Sequence, residues 1–157
     1  MKIQQIKLIL LLIFIQYASA LSSTKTDSLY AYYLKITQFL SKDDAVQAQK
    51  FSLILDTYLI NNKLNPGFSA SVKAMSKSKD LSSLRASYSD FSPKFIEWFR
   101  SSGYQGKLPA YIYHCPMANN DKGGDWLQDR KGTLNPYFGS QMLRCGSLKK
   151  TLYLAKN

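Results

Sequence analysis

Residues 27–62 read DSLYAYYLKITQFLSKDDAVQAQKFSLILDTYLINN. Leu29, Tyr32, Tyr33, Ile36, Phe39 and Leu40 recur at steps of three and four, and Ala45, Ala48, Phe51, Leu55, Tyr58 and Leu59 repeat the pattern. An α-helix turns once in 3.6 residues, so each set lines one face of a helix. Asp27 and Ser28 can cap the start of the first helix. In "SKDD", Ser41 can cap the second, with Asp43 and Asp44 in the first turn. Asn61-Asn62 and then Pro66-Gly67 end it.

Two amphipathic helices cannot cover their own stripes, and the chain supplies partners downstream. Residues 67–78 carry Phe68, Val72 and Met75 at helical steps. Asp80 restarts the pattern with Leu81, Leu84, Tyr88, Phe91, Phe95, Trp98 and Phe99. Pro93 either kinks this run or opens a new helix after Ser92, and Gly103 closes it as a C-terminal cap. Four antiparallel helices with short connections bury such stripes against one another, which predicts a mainly α fold, an up-down helical bundle.

The chemistry changes after Gly106. "LPAYIYHC", residues 108–115, is aromatic and branched without helical period and reads as a strand. Residues 118–135 are rich in Asn, Asp and Gly and read as an ordered loop pinned by Trp126 as a core anchor. Pro136 opens a short helix, "PYFGSQML", and residues 147–154, "SLKKTLYL", form a second strand. The two strands pair antiparallel, giving a small C-terminal two-stranded element with the ordered loop.

At the other end, "MKIQQIKLILLLIFIQYASA" has Lys2 and Lys7, an apolar run from Leu8 to Ile15, and Ala18-Ser19-Ala20 at its close. These are the three regions of a secretory signal, with cleavage after Ala20. The apolar run is shorter than the roughly 20 residues of a spanning helix, so no stable membrane insertion is expected after cleavage. No cysteine follows the cut, which argues against a lipoprotein. The expected product, residues 21–157, is one periplasmic or secreted domain with its motif region at 108–154.

Without Lys2 and Lys7, 19 basic residues face 10 acidic ones, a net charge of +9. The basic residues are scattered rather than arranged with aromatics as a base-stacking face, so no nucleic-acid partner is expected. A solvated surface accounts for them; attraction to anionic lipid or glycan is the alternative. Gly-rich phosphate cradles, GxSxG and HExxH are all missing from the sequence, and no enzyme is read from it.

The sulfur pattern is more specific. "HCPM" at 114–117 and "MLRC" at 142–145 hold the only histidine, both cysteines and two of the four methionines. On a strand, residues two apart share a face, so Cys115 and Met117 can point together if the extended form persists through Pro116. In a helical turn Met142 lies beside Cys145. Cys115, Met117, Met142 and Cys145, with His114 or Trp126 at the edge, would form a sulfur-donor cage suited to Cu(I) or Ag(I). A structural zinc site more often has four Cys and His ligands, and only three such residues are present.

The alternative is a Cys115–Cys145 disulfide, as expected of two cysteines in an exported domain. It would close a loop of about thirty residues and contribute roughly 3–4 kcal/mol in the chain-entropy account. The methionines would then be core filler, and His114 a hydrogen-bonded structural residue. Asp121, Asp125 and Asp129 recur every fourth residue but lack the spacing of a calcium loop, and read as turn-formers.

From Tyr111 to Gly146 the stretch "YIYHCPMANNDKGGDWLQDRKGTLNPYFGSQMLRCG" resembles the signature of a bacterial secreted family, domain of unknown function 3347. The matching residues are Cys115, Pro116, Met117, Ala118, Trp126, Asn135, Pro136, Tyr137, Gly139, Met142, Cys145 and Gly146. That family also occurs as a C-terminal extension on periplasmic adaptor subunits of copper/silver efflux pumps, with a helical region before the motif. The resemblance implies soft-metal binding or buffering, a metal-efflux adaptor or other periplasmic protein as partner, and a less constrained position at His114. A disulfide-clamped structural or protein-interaction module without metal is the competing expectation.

Overall fold

The computed structural model describes residues 2–154, with side chains at 5–7, 9 and 25–154. The fold is mainly α. Helices α1 (Lys2–Leu40), α2 (Ala45–Asn61), α3 (Ser69–Ser76) and α4 (Leu81–Ser101) precede strands β1 (Ala110–Cys115), β2 (Gly124–Gln128) and β3 (Ser147–Tyr153). The strands form one antiparallel sheet in the order β2-β1-β3. Consecutive helices pack in sequence order, and α4 and α1 carry the sheet through β2.

The expected two-stranded element is therefore a three-stranded sheet. Strand β2 lies inside residues 118–135, read from sequence as a loop. "GDWLQ" is a weak strand by composition, and it forms because β1, buried along most of its length, pairs both of its edges. Tyr113 lies opposite Trp126, and the two rings stack 5.8 Å apart.

Local signals place the helices with two corrections. Asp27 and Ser28 do not start a helix, since α1 runs from Lys2 without interruption. The leader read at 1–20 falls on the first part of α1, where most side chains lie outside the described residues. Among the described residues no helix is long and apolar enough to cross a membrane. The cap of α2 is Asp44, whose carboxylate accepts from the Gln47 amide at 3.0 Å; the Ser41 hydroxyl instead donates back to the Gln38 carbonyl. Asp43 in the left-handed region (φ 59°) adds a turn residue and moves the cap beyond Ser41.

At α4 the Asp80 capping box forms, Pro93 sits inside one continuous helix, and Gly103 follows its end at φ 66°. Its stripe of Leu84, Tyr88, Phe91, Phe95 and Phe99 is buried on both sides of Pro93, so packing holds the helix in register across the proline.

The core is aromatic. Tyr33 stacks on Phe95 at 4.3 Å, and Phe68 meets Phe91, Phe95 and Trp98. Each fully buried side chain of this size contributes about 1.5–3 kcal/mol. Buried hydroxyls would offset that gain if unpaired, at about 1–3 kcal/mol each. They form a chain instead. Tyr33 bonds Tyr88 and Ser92, and Thr37 bonds Tyr88. The Leu127 amide donates to Tyr33, and Ser92 donates to the Asp125 carbonyl. Helices α1 and α4 are thereby tied to β2. Burial raises the hydroxyl pKa values of Tyr33 and Tyr88 above the ordinary tyrosine value.

Candidate functional site

Strand β1 ends at Cys115, which is fully buried. The chain returns thirty residues later through the turn Met142–Cys145, closed by a bond from the Cys145 amide to the Met142 carbonyl at 2.9 Å. Buried Asn135 holds this return in place. Its side-chain amide donates to the Cys145 carbonyl at 2.9 Å, and its side-chain oxygen accepts from the amides of Tyr137 and Phe138. Gly146 completes the approach at φ 114°. A Cβ there would stand 2.7 Å from the His114 carbonyl and 2.8 Å from the Trp126 ring. No other residue lets the chain pass this close to β1.

The result is a thiol pair with Cys115 Sγ and Cys145 Sγ 2.6 Å apart. The contact with Cys115, and then burial, push the Cys145 thiol up to about 11. Cys145 is half-buried, so the pair is reached from its side. Trp126 is fully buried with its ring beside Gly146, and its indole N–H donates to Gln128 Oε1 at 2.8 Å. Gln128 Oε1 also accepts from the Leu134 amide, and its amide group donates to the carbonyls of Arg130 and Gly132. The expected role of Trp126 as anchor is what the fold contains.

The other candidate donors are placed differently. The extended form does not continue through Pro116: Met117 has helical dihedrals (φ −82°, ψ −11°) and is 48 % exposed. Met142 is half-buried at the end of the 3-10 turn Gly139–Gln141, which replaces the short helix expected at 136–143. His114 leaves the sulfur corner altogether. Successive strand residues face opposite ways, so its ring lies across the sheet from Cys115. There its Nδ1 pairs with Asp125 Oδ1 at 2.6 Å, and Lys149 Nζ takes the other carboxylate oxygen at 2.7 Å.

Asp125 is thus an ion-pairing strand residue, not the turn-former read from sequence. The cluster His114–Asp125–Lys149 was invisible without β2, because only the register of three strands brings these residues together. Among the described residues no group of three or more His, Cys, Asp or Glu side chains could hold a metal ion. Of the expected sulfur donors the fold brings Cys115 and Cys145 together, and thiolates of this kind suit soft ions. Comparison with family models, curated proteins and solved structures found no match.

Proposed function

We propose that this is an exported, non-enzymatic domain that binds or buffers Cu(I) or Ag(I) on Cys115 and Cys145, and hands the ion to a metal-efflux adaptor or another periplasmic partner. Met117 and Met142 are outer donors on the accessible side. His114, engaged across the sheet, is not part of this set. The reading is carried by one observation: two thiols from segments thirty residues apart meet at the end of the sheet. The likeness of the CPMA, NPYFG and MxxCG segments to an efflux-linked family supports it, and the helices serve as the up-down scaffold that presents the corner.

Thiols bind the ion only after losing their protons, so uptake strengthens as pH rises toward the raised Cys145 value. Metal–sulfur bonds of about 2.3 Å put two thiolates roughly 4 Å apart. The pair must therefore open, and half-exposed Cys145, outside the regular strand, is the side that moves.

The 2.6 Å separation itself favours a second reading, in which the pair oxidises and clamps a structural or protein-interaction module. Mass spectrometry with and without reductant, before and after adding Cu(I), separates them. Metal uptake by the reduced chain that is lost in Cys145→Ser and weakened in Met117→Leu with Met142→Leu is expected for the metal site. A chain that stays oxidised at the redox poise of the periplasm, or that binds no metal once reduced, leaves the clamp.

A further inference from the structure

Helix α2 has two faces. One buries Ala48, Ser52, Leu55 and Leu59 against neighbouring helices. The other carries Val46, Leu53 and Ile60, which are 74 %, 55 % and 68 % exposed. These three are spaced seven residues apart, and because a helix drifts only about 20° per heptad they stand almost in line along one side. The line is about 21 Å long. Among the described residues α3 and α4 expose no large apolar side chain, so the exposure is concentrated on α2. Single apolar residues on a surface need no explanation, but an aligned series marks a contact surface.

We propose that this line is a self-association surface, on which a second copy of the chain packs its own α2 antiparallel, with Leu53 against Leu53.

Two features of the helix select that occupant and that direction. The first is symmetry. A two-fold interface must be complementary to itself. Val46 and Ile60 are equally far from Leu53, so an antiparallel copy places each Val46 opposite an Ile60 and closes the line along its whole length.

The second is charge. Lys50 lies three residues before Leu53 and Asp56 three residues after it, and neither makes an ion pair among the described residues. Antiparallel packing sets Lys50 of one copy level with Asp56 of the other, twice, across the usual helix spacing of about 8–10 Å, which a lysine side chain spans. Parallel packing would set lysine beside lysine and aspartate beside aspartate. Antiparallel helix dipoles act in the same sense.

The surface is separate from the sulfur corner and does not depend on metal binding. Helix α2 packs mainly on α1 and α3, whereas the sheet rests on α4 and α1. Two copies joined through α2 therefore use no residue of the thiol pair. The net positive charge of the chain opposes the contact, but at an ionic strength of about 0.15 M charges more than about 8 Å apart are largely screened. A single helix pair belongs with the small, transient interfaces, so the expected dissociation constant is about 10–100 µM.

Sedimentation equilibrium of the chain as recovered after export, at an ionic strength of about 0.15 M, measures the association. A monomer–dimer equilibrium is expected, weakened at least about tenfold in Leu53→Glu. Leu53 is half exposed, so the melting temperature of that variant should stay near wild type. Lys50→Asp and Asp56→Lys should each weaken the dimer about fivefold, and an equimolar mixture of the two should restore it as a heterodimer. Carbodiimide treatment of mixed isotope-labelled and unlabelled chains should join Lys50 of one copy to Asp56 of the other. A chain that stays monomeric up to about 1 mM, or a dimer that Leu53→Glu and the two charge variants leave unchanged, overturns the proposal. So does Leu53-dependent binding to vesicles of phosphatidylglycerol and phosphatidylethanolamine by a chain that remains monomeric, which would make lipid the occupant.

Discussion

Between Ala45 and Ser101 most of the buried side chains are those an amphipathic pattern names, among them Ala48, Leu55, Leu59, Phe68, Val72, Met75, Leu84, Tyr88, Phe91, Phe95 and Phe99, with Ser52, Ser71 and Ser92 as the polar exceptions. Between Ala110 and Gly146 the decisive buried residues are of another kind. They are Trp126, Gln128, Asn135 and Cys115, with Gly146 where a Cβ would collide. The helical half is held mainly by area, which many side chains can supply, with the hydroxyl chain of Tyr33, Thr37, Tyr88 and Ser92 as its polar part. The sheet half is held by individual polar atoms and one tight backbone approach, where a change of a single atom leaves a buried group unpaired.

The largest expected effect comes from Trp126→Ala, which removes the buried ring packed against Tyr113, Tyr137 and the Gly146 turn. It should cost roughly 3–5 kcal/mol in urea unfolding and release Cys145 to alkylation. Leu55→Ala, in the helical half, should cost about 2–4 kcal/mol while the alkylation rate of Cys145 in the folded protein stays unchanged. If that rate rises too, the two halves are not separable in the way their packing implies.

Asn135→Ala sharpens the contrast, since it removes little apolar area. It strands the Cys145 carbonyl and two backbone amides, at about 1–3 kcal/mol for each group left buried without a partner. A lower melting temperature together with faster modification of Cys145 is expected. Wild-type melting temperature would show that water replaces the amide.

Stability should also fall in alkali. Burial raises the folded-state values of Tyr33, Tyr88 and Tyr137, and Cys145 is held up at about 11. Groups raised on folding stabilise fully below their unfolded values, near 10 for tyrosine and 8.5 for cysteine, and lose that contribution as pH rises through the folded ones. Urea midpoints measured from pH 8 to 11 should decline, and less steeply in Tyr88→Phe.

The smallest effect joins the two halves. Asp43, after α1, accepts from the Ser140 amide at 3.1 Å and from its hydroxyl, and pairs with Arg85 of α4 at 2.5 Å. Gly139, at φ 59°, permits this, because a Cβ would collide with the Asp43 carboxylate. The Ser140 bonds first, and then Arg85, lower the Asp43 carboxyl pKa. A lowered value gives stability that is complete above the unfolded value of about 3.9 and is lost as pH falls through the folded one. Asp43→Asn should therefore cost about 1 kcal/mol or less at pH 6, with the gap to wild type closing below pH 4.

The helices were legible because their evidence is local: spacing within one segment names the buried face of α2, α3 and α4 before any partner is known. Asp80 as the restart of the helical pattern, Gly103 as stop and Trp126 as anchor follow from the same kind of signal. The meeting of the two cysteine stretches was also within reach, since β1 and β3 were both recognisable and their pairing brings the ends together. Strand β2, the separation of His114 from Cys115, the outward turn of Met117 and the Asp125 ion pairs came only from the folded chain. Each depends on which strand lies beside which and in what register, and a shift of one residue in a strand exchanges the two faces of a sheet. Sequence alone determined which side chains seek burial; tertiary structure decided which of the reactive ones meet, because strand neighbours are chosen across the chain and not along it.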